Sequence, residues 1–254
     1  MTRFDVQTTC DTPATPGADL GPKRDDEPGG DWPVREAVGS LMWLSTMTRP
    51  DITNAVRAVA RYAHAPTARL WKSVMQILSY LKGTKEMGIT YVRGSGLGLE
   101  VYADADYADK ANDRRSVSGI AVTLGGTVVS HASKTQHVVS LSTSEAEYIA
   151  AGDGVKEALF VRAVLSFIAP ETLGATIKVL EDNQGAKALI ENPLSSARSK
   201  HIDVRFHFIR DLFRTRKISV EYVASAEQHA DILTKALSRA NFQYHRKSLM
   251  NLSE

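Results

Sequence analysis

The sequence predicts an α/β fold built on a mixed five-stranded sheet flanked by helices, and three observations carry that prediction. After Gly94-Ser95-Gly96 the chain changes to strand grammar: LEVYADADY (99–107), SGIAVTLGG (118–126) and TVVSHASK (127–134) are rich in β-forming residues and divided by turn residues. Gly125-Gly126 is a hairpin signal, which makes the first three strands an antiparallel meander. Two further strands, TIKVLED (176–182) and ISVEYVAS (218–225), are each reached through helical sequence, the pattern of crossover connections.

The elements follow in order. Residues 1–30 mix Thr, Pro, Gly and charges without an apolar period, and are expected as a disordered arm or linker. Between 31 and 95 three short helices are expected. Their apolar spacings are Val34, Val38, Leu41 and Met42; Ile52, Val56, Val59 and Ala63 after Pro50; and Val74, Leu78 and Leu81, closed by Gly83. The sheet domain is expected over 96–240 and a C-terminal tail over 241–254. Within the domain a long helix runs from about Ser144 to Ile168, capped by Ser142 or Thr143. Helices near 183–191, 197–216 and 227–237 complete the order β-β-β-α-β-α-α-β-α.

Composition narrows the classes. With 254 residues and 43% hydrophobic content the chain can bury one substantial core, or one core and a satellite. Its 31 Lys+Arg stand against 29 Asp+Glu, so total charge announces no nucleic-acid binder. The single Cys10 forms no intramolecular disulfide or Cys-based zinc site, which fits a reducing compartment. No segment approaches the roughly 18 apolar residues of a membrane span, and none resembles a signal peptide. A soluble, cytoplasmic chain with no membrane partner is expected.

Four acids occupy special places. Asp104 ends the first strand, Glu147 lies in the first turns of the long helix, Asp182 ends the fourth strand, and Asp231 belongs to the expected last helix. Ligands of open α/β sheets gather at the carboxyl ends of strands, so neighbouring parallel strands would aim Asp104 and Asp182 into one crevice. Such a set could seat two Mg²⁺ ions about 3.5–4 Å apart for in-line displacement at phosphorus. Hard cations take oxygen ligands, so carboxylates suffice without Cys or His. Glu145 and Glu147 diverge on a helix, and at most one is a ligand. Ala146, Ala150, Ala151 and Gly154 permit close packing around Glu147; Asp153 reads as a solvated charge, and Asp106 as a neighbour in the loop. Each acid taken singly is an ordinary surface charge; the four together are what point to metal.

The stretches YADADYADKANDRRSVSG, SKTQHVVSLSTSEAEYIA, EDNQGAKAL, SKHIDVRFHFIRD and QHADILTKAL resemble, in order, the ribonuclease H domain of copia-type retrotransposon Pol polyproteins. EAVGSLMWLSTMTRPDITNAV and the stretch ending ILSYLKGT resemble the connection that precedes that domain. The resemblance implies a ribonuclease H-like fold with an N-terminal helical connection segment. It implies hydrolysis of the RNA strand of an RNA–DNA hybrid, with Mg²⁺ or Mn²⁺ as cofactor and a reverse transcriptase domain as partner in the polyprotein, inside the cell or in retrotransposon particles. The family's four carboxylates fall on Asp104, Glu147, Asp182 and Asp231. Two positions depart from the pattern: Ala236 where Pro is frequent, and His229 where an apolar residue is common.

Residues 196–217 carry seven Lys or Arg against two Asp, with Ile202, Phe206, Ile209 and Phe213 as an apolar face. A basic amphipathic helix can hold phosphates, which nominates Arg198, Lys200, Arg205 and Arg210, against the plain reading of a solvated surface helix. Arg114, Arg115 and Lys134 are weaker nominations. Discriminating RNA from DNA requires contact with 2′-hydroxyls, for which Ser144, Asn183 and Gln184 are candidates. His201 and His207 read as packing or capping residues; His229 is a candidate for proton transfer or product release. Tyr-Ala-Asp-Ala is no polymerase motif, and the lone Asp-Asp pair, Asp25-Asp26, lies in the expected arm. No zinc-binding module of the integrase kind is visible. A catalytically inactive, hybrid-binding remnant is the remaining alternative.

Overall fold

The computed structural model describes residues 2–108, 114–192 and 208–252. The chain forms two compact units, one of Met1–Ile89 with Lys235–Glu254 and one of Thr90–Thr234. The divisions thus fall at 89/90 and 234/235 rather than at 95/96 and 240/241.

The helical unit contains α1 (Val34–Met47), α2 (Thr53–Ala60) and α3 (Ala68–Gly83). Their predicted stripes form its core through Val34, Val38, Leu41, Val56, Val59, Val74 and Leu78, whereas Met42 is exposed. A polar network is buried beside them. Arg49 grips Asp51 with two parallel hydrogen bonds of 2.8 and 2.9 Å and donates to the Thr84 carbonyl at 3.0 Å, while the Tyr80 hydroxyl donates to Asp51. The expected C-terminal tail is instead a helix, Arg239–Met250, capped by Ser238 and closed by Asn251 in the left-handed region. Its Phe242 meets the Tyr80 ring edge-on at 5.6 Å, and Arg246 Nη1 donates to the Tyr80 hydroxyl at 2.9 Å. Burial of those two contacts supplies what a tail could not. Residues 2–30, expected as a disordered arm, have little regular structure yet lie along α3. Lys82 Nζ donates to the Val6 carbonyl at 2.7 Å, Cys10 Sγ to the Gln76 carbonyl at 3.2 Å, and Arg69 binds both Asp19 and Glu27 at 2.8 Å.

The sheet unit has strands β1 (Leu99–Asp106), β2 (Val117–Leu124), β3 (Thr127–Thr135), β4 (Ile177–Glu181) and β5 (Ile218–Tyr222) in the order β3-β2-β1-β4-β5. The first three form the antiparallel meander, turned by Gly125 and Gly126, both at positive φ as a two-residue hairpin turn requires. β4 and β5 run parallel to β1. A parallel neighbour demands a crossover, and α4 (Thr143–Ile168) provides it. Ala146, Ala150, Ala151 and Ala158 of α4 are fully buried, and a Cβ on Gly154 would stand 2.7 Å from Val101 Cγ1. Small residues therefore let the helix lie directly on β1. The core is completed by α5 (Gln184–Glu191) and by a helix, here α6, of which 208–214 are described. The final helix among the described residues, Arg239–Met250, is numbered α7.

The helix expected near 227–237 is not one helix. Ser225–Glu227 and His229–Leu233 are 3₁₀ turns, separated by Gln228, whose side chain is fully buried.

Candidate metal centre

One carboxylate oxygen from each of Asp104, Glu147 and Asp182 lies within 4.8 Å of the others. The topology explains the meeting. β1 and β4 are adjacent and parallel, so their carboxyl ends lie at one edge. Their ladder pairing ends at Tyr102 opposite Leu180, with Asp104 and Asp182 each two residues further on. Glu147 comes from the start of the crossover helix. Its neighbour Glu145 is spent on capping: Ser142 Oγ accepts from Glu145 N at 3.2 Å, and Glu145 Oε2 accepts from Leu141 N at 2.8 Å. The two glutamates therefore have different work, as their divergence on a helix requires.

Asp104 and Glu147 are buried and Asp182 half-buried. Burial, reinforced by Asp104, Glu181 and Asp182, pushes Glu147 up to about 10, against a single backbone hydrogen bond from Ala105. Glu181, fully buried at the end of β4, is pushed up to about 8 by burial and then by Asp182 and Asp104, although Asn183 N donates to its Oε1 at 3.1 Å. Glu147 Oε2 and Glu181 Oε2 are buried without a hydrogen-bond partner. Crowded, buried carboxylates with unsatisfied oxygens are costly alone and favourable around a cation. The all-oxygen donor set fits a hard divalent ion such as Mg²⁺ or Mn²⁺.

Asp231 is 9% exposed in the His229–Leu233 turn, which packs on β1 and β2, and it is not one of the three oxygens that close together. His229 rests against the Tyr102 ring with centroids 5.0 Å apart. Asp106 continues β1 and also stands outside the trio. Ser144 Oγ donates to Asn183 Oδ1 at 3.0 Å, and the same oxygen accepts from Ala186 N at 3.0 Å to cap α5. That pair thus joins α4 to α5 beside the centre, while Gln184 is exposed. Arg210, nominated for phosphate, is 7% exposed; its Nε donates to the Leu189 carbonyl at 2.8 Å and its guanidinium lies over the Tyr148 ring. Packing of α6 against α4 and α5 turns this arginine inward, whereas the phosphate nomination expected it on an open surface. Arg198, Lys200, Arg205, His201, His207 and Asp109 lie outside the described residues.

Sequence reasoning passed over Glu181, Gln228 and Thr234. Glu181 was visible only as the first acid of EDNQ, where strand alternation sends two adjacent acids to opposite faces. Gln228 and Thr234 carry no local signal, since their partners lie 125 and 130 residues away.

A mixed sheet in this order, with carboxylates at the ends of two neighbouring parallel strands and on the crossover helix, defines a ribonuclease H-like domain. No protein-family profile matches the chain. Over 214 residues it is 40% identical to the retrovirus-related Pol polyprotein from transposon TNT 1-94 of Nicotiana tabacum, covering 83% of this chain and 16% of that protein. Over 209 residues it is 37% identical to the Pol polyprotein from transposon RE2 of Arabidopsis thaliana, covering 82% and 14%. The chain is similar to these retrovirus-related Pol polyproteins over more than four fifths of its own length, and spans less than a fifth of theirs. Among solved structures, the N-terminal RNase H domain of Rv2228c from Mycobacterium tuberculosis aligns with a TM-score of 0.40 at 19% identity, over 60% of this chain and 99% of that one.

Proposed function

We propose that the chain hydrolyses the RNA strand of RNA–DNA hybrids, as the nuclease portion of a retrotransposon Pol polyprotein that acts inside the cell beside a reverse transcriptase domain. The observation that carries this reading is the convergence of Asp104, Glu147 and Asp182, with Glu147 Oε2 buried and unsatisfied. These three, with Asp231 as a fourth acid near the edge, would hold two Mg²⁺ or Mn²⁺ ions. Such ions supply an activated water and charge stabilisation at the scissile phosphate. The protein's own part is to hold the acids in register and to keep Glu147 and Asp104 out of bulk water.

Exposed Gln184, and Ser144 with Asn183 at the α4–α5 junction, are the polar groups proposed to contact a minor-groove 2′-hydroxyl. Arg198, Lys200 and Arg205 remain proposed phosphate contacts. The test is cleavage of an end-labelled hybrid with Mg²⁺ by the parent, Asp104→Asn and Asp182→Asn. Cleavage of RNA alone, lost in both variants, is the expected result. A parent that binds hybrid and never cuts it would establish the inactive binding module instead.

A further inference from the structure

Two side chains flank Asp231 and reach the metal centre without belonging to it. Gln228 is fully buried. Its Nε2 donates to the Ala103 carbonyl on β1 at 2.9 Å and to the Leu180 carbonyl on β4 at 3.2 Å, while its Oε1 accepts from Ala230 N at 3.3 Å. The carboxamide is therefore wedged between the two strands where their own pairing ends at Tyr102 opposite Leu180. Thr234, 2% exposed, closes the other end of the turn. Its hydroxyl donates to Asp104 Oδ2, with the Asp231 carbonyl at 3.1 Å as the alternative acceptor.

We infer that Gln228 and Thr234 are positioning residues of the metal centre: the Gln228 carboxamide holds β1 and β4 apart so that Asp104 and Asp182 face one another, and the Thr234 hydroxyl fixes the Asp104 carboxylate. This rests on the metal-dependent reading of the three acids. The chemistry suits the task on both counts. Each carboxamide hydrogen has its own carbonyl, so the wedge can neither rotate nor withdraw without leaving buried acceptors unpaired. A neutral hydroxyl orients an anion by a charge-assisted hydrogen bond and adds no positive charge to compete with a cation. The turn therefore links the fourth acid and the first through one hydroxyl.

The experiment compares the full chain with Thr234→Val, Thr234→Ala and Thr234→Ser, measuring Mn²⁺ affinity by titration calorimetry, cleavage kinetics on a hybrid, and folding by circular dichroism. Loss of a hydrogen bond to a metal ligand is expected to weaken Mn²⁺ about tenfold and to lower kcat with KM for hybrid unchanged, and Thr234→Ser is expected to restore both. For Gln228 the readout needs no substitution: its two side-chain amide protons should exchange slowly with solvent in the wild-type protein. A folded Thr234→Val or Thr234→Ala chain with wild-type Mn²⁺ affinity and kcat, or rapidly exchanging Gln228 protons, overturns the inference. Failure of the underlying reading looks different. A parent that binds Mn²⁺ through Asp104 but never cuts sinks the nuclease, while Mn²⁺ affinity still decides the role of Thr234; a parent that takes up no Mn²⁺ overturns both.

Discussion

Gly119 pairs with Asp104 across the β1–β2 ladder, and the turn carrying Asp231 lies so close over it that a Cβ would stand 2.8 Å from the Ala230 carbonyl oxygen and 2.6 Å from Thr234 Cγ2. The missing side chain is what lets that turn reach the metal centre. Gly119→Ala must push the turn off β2, an overpacking cost of about 1–3 kcal/mol. A lower urea midpoint together with weaker Mn²⁺ binding is expected.

Glu147→Gln should separate stability from function. The substitution keeps the shape, removes a group that burial and three neighbouring carboxylates disfavour, and deletes one of the three converging ligands. The expected result is a melting temperature in EDTA a few degrees above the parent, with cleavage and Mg²⁺-induced stabilisation both lost. Thermal melts with and without Mg²⁺ read this directly.

The same crowding sets a pH dependence. Glu147 moves from an ordinary 4.5 to about 10 in the folded protein, and Glu181 from 4.5 to about 8. Above pH 4.5 the unfolded chain releases protons that the native chain retains, so the metal-free fold loses stability from these groups as pH rises, through about 8 for Glu181 and about 10 for Glu147. Cation binding must expel the Glu147 proton, so apparent Mg²⁺ affinity should climb over the same window. Urea titrations in EDTA at pH 5.5, 7 and 8.5 would show midpoints falling; Glu147→Gln should flatten the slope.

In the helical unit, Asp51 accepts from Arg49 and Tyr80 in a site that excludes water. Asp51→Ala leaves the 4%-exposed Arg49 without its counter-charge and is expected to cost about 3–5 kcal/mol. Tyr80→Phe, which removes only the hydroxyl shared with Arg246, should cost less. Chemical denaturation of both variants checks the ranking.

Arg210 gives a test of inward against outward use. Since its guanidinium bonds the Leu189 carbonyl and covers Tyr148, Arg210→Ala should lower the melting temperature while the salt dependence of hybrid binding keeps its slope. A shallower slope would return Arg210 to the phosphate contacts.

Much of the site was legible residue by residue. Asp104 and Asp182 are acids at the ends of strand-patterned segments, and Glu147 lies on a helix surrounded by alanine and glycine. Helical geometry allowed at most one of Glu145 and Glu147 to be a ligand, and the structure shows Glu145 capping the helix. The inward turn of Arg210 was not legible, because a basic helix reads as a charged surface until a packed neighbour is known. The helix at Arg239–Met250 was missed although Ser238 is a sound N-cap, because its buried positions are shared with histidine and arginine rather than filled by an apolar stripe.

What the sequence by itself determined is local: period-two strands, the Gly125-Gly126 turn, the Ser142 cap and the identity of the acids. These follow from backbone sterics and side-chain spacing over a few residues, and need no knowledge of the rest of the chain. The tertiary structure alone decided that the pairing of β1 with β4 ends at Tyr102 and Leu180, that Gln228 bonds to both strands there, and that Thr234 turns its hydroxyl to Asp104. Those relationships join residues between 48 and 130 positions apart, and burial of the whole sheet brings them within hydrogen-bond reach.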